Sequence, residues 1–132
     1  AVVSMDGQDS FDIDYERSTG EDRSAKITVT NEAGDSSIFT INQAGITLTL
    51  SVSPTSITID AIPQETEHFA VTTNDASWTV VSDSSWAVVV DKTDTTFALE
   101  CDLNDTEANR EAIITITTSS GLTATVKVTQ SY

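Results

Sequence analysis

Apolar residues in this chain return at every second position and do not sustain the three- and four-residue steps of a helix. Ile46, Leu48, Leu50 and Val52 alternate with Thr47, Thr49 and Ser51, and after Ser53-Pro54-Thr55 the alternation resumes at Ile57 and Ile59. The same spacing links Phe69 to Val71, Trp78 to Val80, and Trp86 to Val88 and Val90. It continues through Phe97, Leu99 and Cys101, then Ala112, Ile114 and Ile116, and last Leu122, Ala124, Val126 and Val128. Successive side chains of an extended strand point to opposite faces, so each segment acquires one apolar and one polar face. The polar positions are largely Thr and Ser, which together make up 38 residues, and β-branched Thr suits a pleated, half-buried surface. Asp, Asn, Ser and Gly fill the gaps, residues that accept turn geometry. About seven short strands at roughly 8–12-residue spacing predict an all-β sandwich over 46–132.

The first 45 residues repeat the end of that segment. Ala1-Val2-Val3 corresponds to Ala87-Val88-Val89, and Phe11 and Ile13 to Phe97 and Leu99. After a one-residue gap, Arg23, Ala25, Ile27, Thr28, Thr30, Gly34 and Gln43 recur as Arg110, Ala112, Ile114, Thr115, Thr117, Gly121 and Gln130. Seven identities thus fall in the 23 positions from Arg23 to Gly45, and a repeat of this kind decides the domain count. Residues 1–45 are expected to be the C-terminal half of one repeat and 46–132 a complete one. Such a half buries too little apolar surface to stand alone. Three arrangements fit: a piece of a longer tandem array with neighbouring domains, a strand-exchanged dimer, or an extra sheet laid on the complete domain.

Six Lys plus Arg against 21 Asp plus Glu set the formal charge at −15. That excess argues against nucleic acid or anionic lipid as partner, because phosphate contact demands concentrated cations. There is one cysteine, Cys101, hence no internal disulfide, and no apolar run long enough for a membrane helix. No signal peptide is present in the sequence, so an exported form is expected to have lost it.

Chemistry-bearing residues are sparse. Asp6, Asp9, Asp12, Asp14 and Glu16 form an acidic run, and oxygen ligands at close spacing are what calcium requires. Asp12 and Asp14 alternate with Phe11, Ile13 and Tyr15, however, which makes them the solvent face of a strand and weak cation candidates only. No cofactor is expected. His68 is the one histidine, placed opposite the apolar face, and Cys101 falls in apolar phase as a small buried residue. Paired carboxylates are plentiful, but glycoside hydrolysis needs them across a sugar-holding cleft that a domain of about 85 residues rarely supplies. No enzyme activity is expected. Asn104-Asp105-Thr106 is a glycosylation triplet that matters only in a eukaryotic secretory pathway. Arg110 and its repeat partner Arg23 stand just before a strand in each copy, which suggests a structural task such as pairing with an Asp or with loop carbonyls, and Gln130 and Gln43 likewise close the last strand.

The two tryptophans lie in Ser77-Trp78-Thr79-Val80-Val81-Ser82-Asp83-Ser84-Ser85-Trp86. By parity both indoles belong to the apolar face, and a core Trp is usual in such sandwiches. Trp86 stands at a turn edge, where one face of its ring could stay open. A sugar site, if there is one, is expected at Asp83, Ser84, Ser85 and Trp86, with Trp86 as the stacking residue.

Val52 to Ser56, Ser77 to Val80, Asp83 to Trp86, Asn109 to Ile116 and Val126 to Gln130 together resemble the BACON domain, the Bacteroidetes-associated carbohydrate-binding module. The resemblance spans 46–132, and 1–45 looks like the last half of a preceding copy. It implies a seven-stranded immunoglobulin-like β-sandwich, non-catalytic and extracellular, on a bacterial cell surface or a phage virion. Glycans or mucin are the implied partners, and a structural spacer beside catalytic or adhesive neighbours is the alternative. The sequence departs from the family pattern at Ala61 to Glu65 and at Asp91 to Asp94, both in turns. Loops are where sandwiches carry specificity, so ligand identity does not transfer.

Overall fold

A computed structural model describes residues 2–5, 9–18 and 20–132. Ala1, which opens the repeat alignment, and Asp6 of the acidic run lie outside the described residues. The chain divides into two compact units, Ala1–Thr47 and Leu48–Tyr132. Every regular element among the described residues is a β-strand.

The first unit holds β1 (Val2–Met5), β2 (Phe11–Asp14), β3 (Arg23–Thr30) and β4 (Ser36–Gln43). β1 pairs antiparallel with β2, and β3 with β4. Asn31 closes the second hairpin: its side-chain oxygen accepts the Asp35 N–H at 2.8 Å, while Gly34 takes the left-handed backbone with φ 91°. Phe11 and Phe39 bring the hairpins together, ring centres 5.8 Å apart. Asp12 and Asp14 face solvent as their alternation requires. Tyr15 departs from its inward parity and is exposed, because β2 ends at Asp14.

The second unit is a two-sheet sandwich built from β5 (Leu50–Ser53), β6 (Ser56–Ile59), β7 (Glu67–Thr73), β8 (Trp78–Ser82), β9 (Ala87–Val90), β10 (Thr96–Cys101), β11 (Arg110–Thr118) and β12 (Thr123–Gln130). One sheet runs β5-β7-β10-β9 and the other β6-β12-β11-β8. Pro54 has no N–H to give a ladder, and the chain changes sheet there, so one alternating run becomes two strands. Strand β5 begins at Leu50, four residues after the alternation starts at Ile46. β6 lies parallel to β12; the other pairs are antiparallel.

The core is the inner face of both sheets: Val52, Ile59, Phe69, Val71, Trp78, Ala87, Phe97, Leu99, Ala112, Ile114, Ile116, Val126 and Val128 are all buried. Each large side chain among them contributes roughly 1.5–3 kcal/mol by leaving water. Phe69 and Phe97 stack at 4.8 Å, and Trp78 meets Phe97 edge-on at 6.2 Å.

One parity reading is overturned. Trp86, Val88 and Val90 do not share the apolar face: Ala87 is fully buried and Val89 packs on the core, whereas Val88 is 49% exposed. Ser84 to Trp86 form a turn, with the Ala87 N–H on the Ser84 carbonyl at 3.3 Å, and β9 starts only at Ala87. A one-residue reset of phase sends every following side chain to the other face.

Candidate functional site

The register of β11 with β12 puts Arg110 directly across from Gln130. Both side chains point toward the end of the sandwich where β10 gives way to Asp102 and Leu103. Gln130 is fully buried, and its Nε2 donates toward the carbonyls of Asp102 (2.8 Å), Asp60 (3.2 Å) and Ala61 (3.3 Å). Its Oε1 accepts from Arg110 Nε at 2.8 Å. A terminal guanidinium nitrogen of Arg110 donates to Asp102 O at 2.9 Å and Leu103 O at 3.0 Å. The repeat partners do the same in the first unit: Arg23 Nε donates to Gln43 Oε1 at 2.8 Å, and Gln43 Nε2 and the Arg23 guanidinium both donate to Glu16 O. Of the two tasks expected of the repeated arginines, Arg110 and Arg23 perform the binding of loop carbonyls and not pairing with an Asp, and the bond from each arginine to its glutamine is added by the structure.

Trp86 completes this cluster in the second unit. The Asp102 N–H donates to Trp86 O at 2.8 Å, next to the Ala87–Cys101 pair of β9 and β10. The Arg110 guanidinium then lies over the indole, 4.4 Å from the ring centre. Trp86 is half-buried and packs partly on the core. Trp78 differs: it is 5% exposed, its Nε1–H donates to Asp94 O at 2.8 Å, and Lys92 Nζ stands 3.9 Å from its ring centre. Trp78 is a core residue with its polar atom satisfied.

The turn before Trp86 is internally bonded. Ser82 Oγ donates to Ser84 O at 3.0 Å and accepts the Ser84 N–H at 3.2 Å. Asp83 Oδ1 accepts from the Ile113 N–H at 2.9 Å and from Ser84 Oγ at 2.7 Å. The Ile113 N–H, followed by the Ser84 hydroxyl, holds the Asp83 carboxyl below the ordinary carboxylate range. Asp83, Ser84, Ser85 and Trp86 are thus brought to one turn, with Asp83 and Ser85 exposed and Ser84 half-buried. Asp12 and Asp14 lie in the first unit on outward positions of β2, opposite Ser4 and Val2. Among the described residues no three His, Cys, Asp or Glu side chains converge as a cation site.

Burial pushes the Cys101 thiol up, as do Glu67 and Asp102, against the opposing pull of Arg110. That is the setting of an unreactive thiol. His68 is exposed on β7, opposite Ala98.

Two polar centres carry no signal in alternation. Asp75 collects the Ala76 N–H (2.7 Å), Ser119 Oγ (2.9 Å) and Ser120 N–H (2.9 Å), which ties the β7–β8 turn to the β11–β12 turn. Asn104 is buried, donates to Ala108 O (2.9 Å) and Ser131 O (2.8 Å), and accepts Thr106 Oγ1 at 2.7 Å. The glycosylation triplet is therefore a folded turn with its amide engaged. Asp-Ala-Ser and Asn-Asp-Thr are the local cues, since both residue types bond backbone two positions on.

The family comparison follows this layout. Residues 3–44 and 69–131 both match BACON, described as “Putative binding domain, N-terminal”. This chain belongs to the BACON family. The first match runs from within β1 through β4, and the second from Phe69 within β7 through β12, ending just beyond Gln130. A Bacteroides ovatus GH5 xyloglucanase, solved in complex with a XXXG heptasaccharide, is similar to the BACON chain at 22% identity and a TM-score of 0.47. The similarity covers 63% of this chain and 19% of the xyloglucanase chain. No curated protein matches.

Proposed function

We propose that this BACON chain is a non-catalytic extracellular module that binds carbohydrate, mucin glycans among them, at a bacterial or phage surface. The contact is the turn Asp83, Ser84, Ser85 and Trp86. One observation carries the reading: Trp86 is a half-buried indole in a turn, braced by Arg110 at 4.4 Å. Ligand sites pair an apolar platform with a few fixed polar groups, and here Trp86 shares its turn with Asp83 and Ser85, both exposed. A ring already immobilised by a guanidinium loses little freedom on binding.

The test is Trp86→Ala on the whole chain, with binding to a glycan that the wild type retains measured by calorimetry. Loss of at least roughly tenfold in affinity, about 1.4 kcal/mol, with an unchanged circular dichroism spectrum supports the reading. Full affinity in a folded variant removes Trp86 from the site.

A second reading is favoured by the recurrence of the Arg–Gln clamp in both units. If Trp86 exists to complete that clamp, the module is a spacer that projects a neighbouring domain. Trp86→Ala would then lower stability while no glycan bound to either protein. The same recurrence supports reading residues 1–45 as the C-terminal half of a BACON-like repeat and 46–132 as a complete one.

A further inference from the structure

The second unit is strongly acidic, and its few cations are engaged in holding the fold. Residues 48–132 contain twelve Asp and Glu against three Lys and Arg. Lys127 is ion-paired with Glu111 at 2.6 Å. Lys92 stands 3.9 Å from the Trp78 ring centre, beyond the end of β9 that is remote from Trp86. Arg110 alone of the three meets the Trp86 ring. Its Nε is bonded to Gln130 and one terminal nitrogen to the carbonyls of Asp102 and Leu103, so at most one terminal nitrogen is left for a ligand. The two-point grip of arginine on a carboxylate or a sulfate needs two adjacent donors.

Carboxylates, by contrast, accompany the indole. Asp83 is exposed three residues ahead of Trp86, and the bonds it accepts from the Ile113 N–H and the Ser84 hydroxyl favour its charged form. Asp102 is exposed as well, and its N–H donates to Trp86 O at 2.8 Å. One guanidinium against two carboxylates leaves this turn net negative, within a chain whose formal charge is −15. Like charges set against each other suppress the wrong partner, and the field of the whole chain adds to that repulsion.

We propose that the Trp86 turn accepts uncharged glycans and rejects those that end in a carboxylate or a sulfate. The inference rests on the carbohydrate reading of that turn. Specificity is a difference between two affinities. A neutral ring stacks on the indole and bonds to the exposed polar groups beside it, whereas its acidic counterpart stacks equally but meets Asp83 and Asp102 without a free cation. Sialylated or sulfated mucin chains therefore become ligands once hydrolysis has removed the acidic group.

The experiment is an array of matched pairs, each a neutral glycan and its sialylated or sulfated form, probed with the whole chain. At about 0.01 M salt the neutral member is expected to bind at least roughly tenfold tighter, and the gap to close at about 1 M, as the screening length falls from about 30 to 3 Å. Ser85→Lys adds a cation at an exposed position of the turn. With its circular dichroism spectrum unchanged, it is expected to narrow the low-salt gap by at least roughly threefold. Acidic members bound as tightly as their neutral partners at low salt would overturn the proposal and leave the carbohydrate reading standing. So would a gap that stays the same at high salt or in folded S85K, because shape and not charge would then set it. No binding to either member of any pair would instead remove the carbohydrate reading, and the proposal with it.

Discussion

Arg110 joins two sheets and a turn through Trp86: its guanidinium lies 4.4 Å from the indole centre while its Nε holds Gln130 Oε1 at 2.8 Å. A planar fork meets these demands at once, and an ammonium does not. Arg110→Lys keeps the charge and is expected to lower stability by about 1–2 kcal/mol, read from urea denaturation. An unchanged midpoint would mean that the stack and the carbonyl contacts contribute nothing.

Trp78 is buried in the core, edge-on to Phe97. Trp78→Ala is expected to cost about 3–5 kcal/mol, the range for a buried aromatic. In the wild type, iodide should quench Trp86 and leave Trp78 nearly untouched, which the Trp86→Phe variant resolves. Equal quenching of both indoles would contradict the assignment.

Gln130→Ala should be costly for a different reason. It strands the carbonyls of Asp60, Ala61 and Asp102 together with Arg110 Nε at a buried site, for an expected loss of about 2–3 kcal/mol. Gln43→Ala removes the matching contact in the more open first unit and should cost less than half as much. Equal losses would place the two clamps in equivalent surroundings.

Acid should loosen the turns that Asp75 and Asp83 hold. Desolvation pushes the Asp75 carboxyl up, but hydrogen bonds from Ala76, Thr118, Ser120 and Ser119 outweigh it and keep it far below the ordinary value of 3.8. Carboxyls lowered in the folded state add stability above their unfolded value and lose that contribution as pH falls through the folded one. Asp75→Asn is therefore expected to melt lower than wild type at pH 7, with the gap narrowing below pH 3.8. A gap that stays constant down to pH 2 would show that the charge is not what matters.

Much of the architecture was readable in the order of residues. Phe97, Leu99, Ile114, Ile116, Val126 and Val128 alternate and are all buried, and the break at Pro54 sends β5 and β6 to different sheets. The recurrence of Arg and of Gln at strand ends pointed to a structural role for each, but not to their bond with one another. Alternation failed where a turn reset it, between Ser84 and Ala87, so Val88 faces outward. The Arg110–Trp86 and Lys92–Trp78 stacks were hidden because they join residues from different strands and turns. Asp75 and Asn104 were hidden because single polar residues in loops have no period to betray them.

The most direct test of carbohydrate recognition is a glycan and mucin array probed with the whole 132-residue chain, with Trp86→Ala alongside. Binding to a defined glycan class by the wild type, lost in Trp86→Ala while the fold persists, is the predicted result. No binding to any glycan or mucin, by a chain shown to be folded, would contradict it and leave the Arg110–Trp86 stack as part of a spacer.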